Sequence, residues 1–134
     1  MKVALLIALF ALACFAQPPD LTYFETVREQ DGIVSLYNSK TITGTYQAVE
    51  FDALITQYRI VDDQRYLNPY FYLLVRVRAS CLDHWFSVVR SEKVVGDKVT
   101  KESPPKPKLE KAEKGSDVYR VIDIVCEKKF GLLT

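Results

Sequence analysis

The chain has 134 residues, 49% of them apolar, and its 18 basic side chains are nearly balanced by 17 acidic ones. That balance excludes a general nucleic-acid binder, which carries a strong positive excess, and equally a polyacidic mineral-binding or calcium-buffering chain. The length suits one domain, large enough to bury a core without several covalent staples.

The first element is an apolar run. Lys2 supplies one positive charge, and residues 3–15 (VALLIALFALACF) carry none. Thirteen residues are too few to cross a bilayer, which takes about 20. They match the apolar region of a secretory signal peptide, with the small residues Cys14 and Ala16 placed for cleavage after Ala16. A core helix would show a polar side, and this run has none. In the rival reading, a bacterial lipoprotein signal acylated at Cys14, Ala11 stands where leucine is usual. The expected organisation is a signal peptide over residues 1–16 and a single secreted β-rich domain over 17–134. Cleavage removes Lys2 and with it the net charge.

The compartment then decides the cysteines. Cys14 leaves with the signal, and Cys81 and Cys126 remain as one pair in an oxidising environment. Their disulfide is worth roughly 4 kcal/mol of loop-closure entropy. Two cysteines with the single histidine, His84, match no zinc spacing. No metal and no cofactor are expected. Asn38 and Asn68 both lack the glycosylation acceptor pattern.

The mature chain reads mainly as strands. Residues 21–29 (LTYFETVRE) are rich in β-branched and aromatic types, with a helix as the rival because Leu21, Phe24 and Val27 also recur at helical spacing. Gln30-Asp31-Gly32 is a turn signal before Ile33–Asn38. Residues 41–51 contain Gly44, a turn or bulge, and residues 53–61 form the next strand. Residues 70–81 (YFYLLVRVRASC) alternate most clearly. Phe71, Leu73, Val75, Val77, Ala79 and Cys81 make a dry face, and Tyr70, Tyr72, Arg76 and Arg78 lie on the other. A short Leu82-Asp83 link to residues 84–89 (HWFSVV) predicts an antiparallel hairpin. Residues 96–117, with three prolines, six lysines and few apolar side chains, predict a mobile loop. Residues 118–126 (VYRVIDIVC) are expected to return as a strand beside 70–81.

These elements predict an all-β fold, a small antiparallel sandwich or barrel-like meander with one disulfide. The alternative is α+β, one helix on an antiparallel sheet, with 21–29 or 47–58 as the helix.

Catalytic signatures are absent from the sequence: there is no GxSxG, HExxH, P-loop or GxGxxG, and one histidine. Asp123, inside VIDIV, is expected to face solvent or pair with Arg76 or Arg78. No enzymatic activity is expected. Tyr70, Tyr72, Arg76, Arg78 and Trp85 are the candidate binding residues, because aromatic side chains with arginine are favoured at recognition surfaces. If the sheet closes into a barrel, the apolar face of 70–81 could line a pocket for a small apolar ligand.

Gln47-Ala48-Val49-Glu50-Phe51 is similar at two positions to the Gln-x-Val-x-Gly hairpin of secreted cystatins. It departs at Phe51, where that family has glycine. His84-Trp85 stands in place of the family's later Pro-Trp hairpin, and earlier in the chain. The resemblance implies an inhibitor of papain-like cysteine proteases. The main expectation is a secreted non-enzymatic protein that binds an extracellular protein or matrix component. A cystatin-like inhibitor or a carrier of a small lipophilic ligand are the alternatives. Neither nucleic acid nor a membrane span is expected.

Overall fold

A computed structural model describes residues 22–131. The signal-peptide reading and the cut after Ala16 fall outside the described residues. Among the described residues the chain forms one eight-stranded antiparallel sheet, a short 3-10 turn and one helix. The strands are β1 (Phe24–Gln30), β2 (Ile33–Asn38), β3 (Thr43–Thr45), β4 (Ala48–Val61), β5 (Gln64–Ala79), β6 (Trp85–Val95), β7 (Lys98–Glu102) and β8 (Glu110–Lys111), followed by the helix α1 (Asp117–Phe130). Their order across the sheet is β1-β2-β4-β5-β6-β7; β3 adds to β4, and β8 to the start of β6.

The turns follow from their residues. Asp31-Gly32 joins β1 to β2, and Asp62-Asp63 joins β4 to β5, with all four residues at positive φ. That is the two-residue turn whose twist matches the strands it connects. Between β6 and β7, Gly96 takes the positive φ ahead of Asp97. β4 and β5 are the long central pair. They fall out of step between Thr56 and Tyr58, and the Thr56 hydroxyl donates to the Phe71 carbonyl at 2.7 Å across the irregularity.

Alternation along these strands gives the sheet two apolar faces. On one face Val49, Phe51, Val77 and Ala79 are buried against Val121, Ile122 and Val125 of α1. On the other, the curled sheet buries Val34, Leu36, Leu54, Tyr72 and Val94 among themselves. Cys81, just beyond β5, is bonded to Cys126 of α1 with the two Cα atoms 5.8 Å apart. The expected disulfide thus ties the helix to the sheet.

The single helix on a mostly antiparallel sheet lies where a strand was expected. Residues 118–126 are helical, whereas 21–29 and 47–58, the two stretches offered as helix, run largely in β1 and β4. The β-branched content of VYRVIDIVC suits either state, but Val118, Val121, Ile122 and Val125 recur at 3.6-residue spacing. The ends decide: Ser116 caps the first turn by accepting from the Tyr119 amide at 3.2 Å, and Asp117 complements the helix dipole. Gly131 closes the last turn at φ 77°, after Lys128 and Lys129.

Residues 96–117 are also more structured than an unbroken loop. β7 pairs with the end of β6, Ser91 to Val95, and β8 pairs with Trp85 and Phe86 at its start. Only the proline-bearing stretch 103–109 between them is free of pairing. Lys98 to Glu102 has few apolar side chains because an edge strand needs none: backbone bonds to β6 hold it.

Candidate functional site

The alternation that sends Val77 and Ala79 under the helix sends Arg76 and Arg78 to the opposite face, in register with Asp52 and Glu50 of β4. Arg76 is well covered and fully engaged. Its guanidinium donates to the Thr41 carbonyl at 3.0 Å, to the Thr43 hydroxyl at 3.0 Å and to Asp52 at 3.3 Å, with Glu50 at 3.4 Å. It therefore holds the 3-10 turn and β3 against the sheet. Arg78 shares Glu50 at 3.2 Å but leaves half its side chain in solvent.

Arg78 opens onto a cleft of about 330 Å³ at the β5–β6 connection, lined by Gln47, Ser80, Leu82, Asp83, Trp85, Ser87 and Leu109 among others. Three of its apolar side chains stand in solvent: Leu82 is 62% exposed, Leu109 64% and Trp85 39%. The Lys111 ammonium lies 6.0 Å from the Trp85 ring, its cross-strand neighbour in β6. The connection beneath is tightly bonded. The Ser80 amide donates to the Trp85 carbonyl at 2.8 Å, the His84 amide to the Ser80 carbonyl at 2.9 Å, and the Asp83 amide to the Ser80 hydroxyl at 3.2 Å. With the disulfide at Cys81 directly below, the apolar rim is presented on a fixed support, which lowers the ordering cost of binding.

Of the five candidate residues, the structure brings Arg78 and Trp85 together. Arg76 lies along the same strand face and lines a separate cavity of about 250 Å³ with Arg90, Lys101 and Ser103. Tyr70 is 60% exposed at the far end of the sheet, beside Gly96, whose amide donates to the Tyr70 carbonyl at 2.7 Å. Tyr72 is not at the surface: it belongs to the second buried cluster. Burial raises its phenol above the ordinary value, and the Glu92 carboxylate adds to the shift. Leu82 and Leu109 went unforeseen. Leu109 is a lone apolar residue amid the lysines, and that isolation is its available signal; Leu82, between Cys81 and Asp83, carries none.

Asp123 is exposed, as the first of the two expectations has it, and pairs with neither Arg76 nor Arg78. Its carboxylate meets His84 Nε2 at 2.6 Å, and the His84 ring stacks on Tyr119 at 3.9 Å, nearly parallel. Both partners sit on α1, so His84 latches the helix to the β5–β6 connection beside the disulfide. A second latch joins Lys128 to Glu25 of β1 at 2.8 Å. The Lys128 ammonium holds the Glu25 carboxyl below its ordinary value, outweighing burial, with help from the Tyr37 hydroxyl. Tyr37 is in turn raised, chiefly by burial and then by its bond to Glu25.

In the stretch resembling cystatin, Gln47 lies in the turn before β4, and Val49 and Phe51 are fully buried under α1. Val49 and Phe51 are core rather than an exposed wedge, while Gln47 stays exposed at the cleft. Among the described residues no group of three or more His, Cys, Asp or Glu side chains could hold a metal. No described helix is long and apolar enough to cross a membrane.

The fold itself has a counterpart. It is similar to a solved structure of Haemophilus influenzae protein E, with a TM-score of 0.53 at 16% identity over 87% of this chain and 94% of that one. Protein E from non-typeable Haemophilus influenzae aligns with a TM-score of 0.49 at 16% identity, over 84% and 82% of the two chains. At these identities the likeness is one of fold. No family model and no curated protein sequence matches the chain.

Proposed function

We propose that the chain is a secreted, non-enzymatic binding protein that recognises an extracellular protein or matrix component through the cleft around Trp85 and Arg78. The observation that carries this reading is the exposure of Leu82, Trp85 and Leu109 around a half-free guanidinium. Trp85 and Arg78 are the residue types favoured at energetic hot spots, and the two exposed leucines extend the apolar surface around them. The disulfide beneath and the apolar run at residues 3–15 support an oxidising compartment. Binding would desolvate the indole and the two leucines, while Arg78 and Lys111 select a partner that presents an acceptor or a carboxylate.

Affinity capture from the fluid or tissue in which the protein is made tests this. The wild-type protein retains a defined partner, and Trp85→Ala with Leu109→Ser reduces its retention by ten-fold or more. Equal retention by the two proteins contradicts the assignment of the cleft.

A further inference from the structure

The helix covers only half of the face it lies on. Tyr37, Ala53 and Val75 pack into the core beneath it. One step along the strands, Ser35, Ile55, Leu73 and Lys93 sit in register on the same face, and beyond them come Ile33 on β2 and the pair Phe71 and Val95 on β5 and β6. Here apolar side chains are bare: Ile33 is 48% exposed, Ile55 42%, Phe71 42% and Val95 46%. They extend over four adjacent strands, a width of about 14 Å. A notch of about 240 Å³ lined by Arg28, Asp31, Ile33 and Asp117 opens where the start of α1 meets this half.

Cations rim the patch. Lys93 lies in the Leu73 row, Lys98 stands opposite Val95, and Arg59 alternates onto this face after Tyr58. All three are exposed, and none makes an ion pair among the described residues. The carboxylates lie at the corners: Asp117 is already held by Arg28 at 3.0 Å, Asp31 lines the notch, Asp97 sits in the turn between Val95 and Lys98, and Glu102 stands opposite Ser91. The rows themselves therefore carry only cations as charged groups. A second copy of this chain laid face to face would set these cations against their equivalents, which disfavours self-association.

We infer that this half of the sheet is a docking surface for an amphipathic helix with acidic flanks, supplied by a partner protein and lying beside α1. α1 already shows the mode on the adjoining rows, where Val121, Ile122 and Val125 seat on the strands. A visiting helix of about three turns spans the patch. Its apolar residues at i, i+3, i+4 and i+7 cover Ile55 and Phe71, and its carboxylates meet Lys93, Lys98 and Arg59. The surface lies on the opposite face of the sheet from the Arg78–Trp85 cleft, so each is occupied independently.

The probe is a synthetic helical peptide with leucine at those positions and glutamate on its flanks, compared with the same peptide flanked by lysine. The glutamate peptide binds at least ten-fold more tightly. Ile55→Asp abolishes binding, Lys93→Glu with Lys98→Glu reverses the preference, and Trp85→Ala leaves it unchanged. If Ile55→Asp does not fold, Phe71→Asp and the charge reversal give the same reading. Equal affinity for both peptides, insensitivity to these variants, binding only to phosphatidylglycerol vesicles, or a dimer in sedimentation that Ile55→Asp dissolves would each overturn the proposal.

Discussion

At Gly44 the backbone runs at φ 96°, and a Cβ there would collide with the Ala48 carbonyl. Gly44 faces Val49 across the β3–β4 pair, so the glycine sets how closely β3 approaches β4. Gly44→Ala therefore lowers stability by about 1–3 kcal/mol, read as a fall in the urea midpoint. Gly32→Ala, also at positive φ but in open space, costs less. An unchanged midpoint for Gly44→Ala would mean that β3 is not held in this register. The Glu25–Lys128 pair gives a pH signature. Its carboxyl titrates lower in the folded protein than in the unfolded chain, so its contribution is present above the unfolded pKa and is lost as pH falls through the folded one. Between about pH 7 and pH 3 the wild type should lose more stability than Lys128→Met. Parallel curves would show that the pair adds nothing. The sequence marked Gly44 as a turn or bulge; the structure instead places it inside β3, in regular register with Val49, and the turn follows at residues 46–47. The Glu25 latch was not legible in the sequence, because nothing local joins two residues 103 positions apart.

Among the elements, α1 shows most clearly how one composition serves two states. VYRVIDIVC has the β-branched residues of a strand, but Ser116, Asp117 and Gly131 around it are the start and stop signals of a helix. A reading from β-branched content alone makes the segment a strand and passes over those caps. Ile122 is fully buried on the sheet, so Ile122→Ala costs about 2–5 kcal/mol, whereas Ile60→Ala, at 72% exposure, changes little. Chemical denaturation of both variants checks this, and equal midpoints would mean that the helix does not pack as described. The unpaired stretch 103–109 is the natural point of proteolytic entry. Lys106 is followed by Pro107, which blocks trypsin, so the first cut falls after Lys108. That cut lies between Cys81 and Cys126, and the fragments stay joined until reductant is added. First cuts within β4 or β5 would contradict the pairing of the sheet.

For the whole molecule, the second half of β5 was legible because burial of alternate residues writes a two-residue period into it. Residues 64–69 of β5 and 90–95 of β6, exposed or only partly covered except for Val94, were not legible as strand. Helix and disulfide together were harder: pairing of Cys81 with Cys126 followed from their number, but not the element on which Cys126 sits. The site was half legible for the same reason. Arg78 and Trp85 belong to neighbouring strands, whereas Leu109 arrives from residues 103–109 through long-range packing. Tyr72 shares the alternation of Arg76 and Arg78 yet lies in a core, since curling of the sheet buries one end of that face and exposes the other. Leu82, Trp85 and Leu109 around Arg78 form one exposed rim beside a disulfide, the surface proposed to bind. Photo-cross-linking tests that claim most directly: a benzophenone side chain is placed at Leu82, and separately at the exposed Ile60 far along the sheet, and each protein is irradiated in its native fluid. The account predicts one cross-linked partner at position 82 that disappears with Trp85→Ala and is absent at position 60. The same adducts at both positions, or adducts at 82 that survive Trp85→Ala, would contradict it.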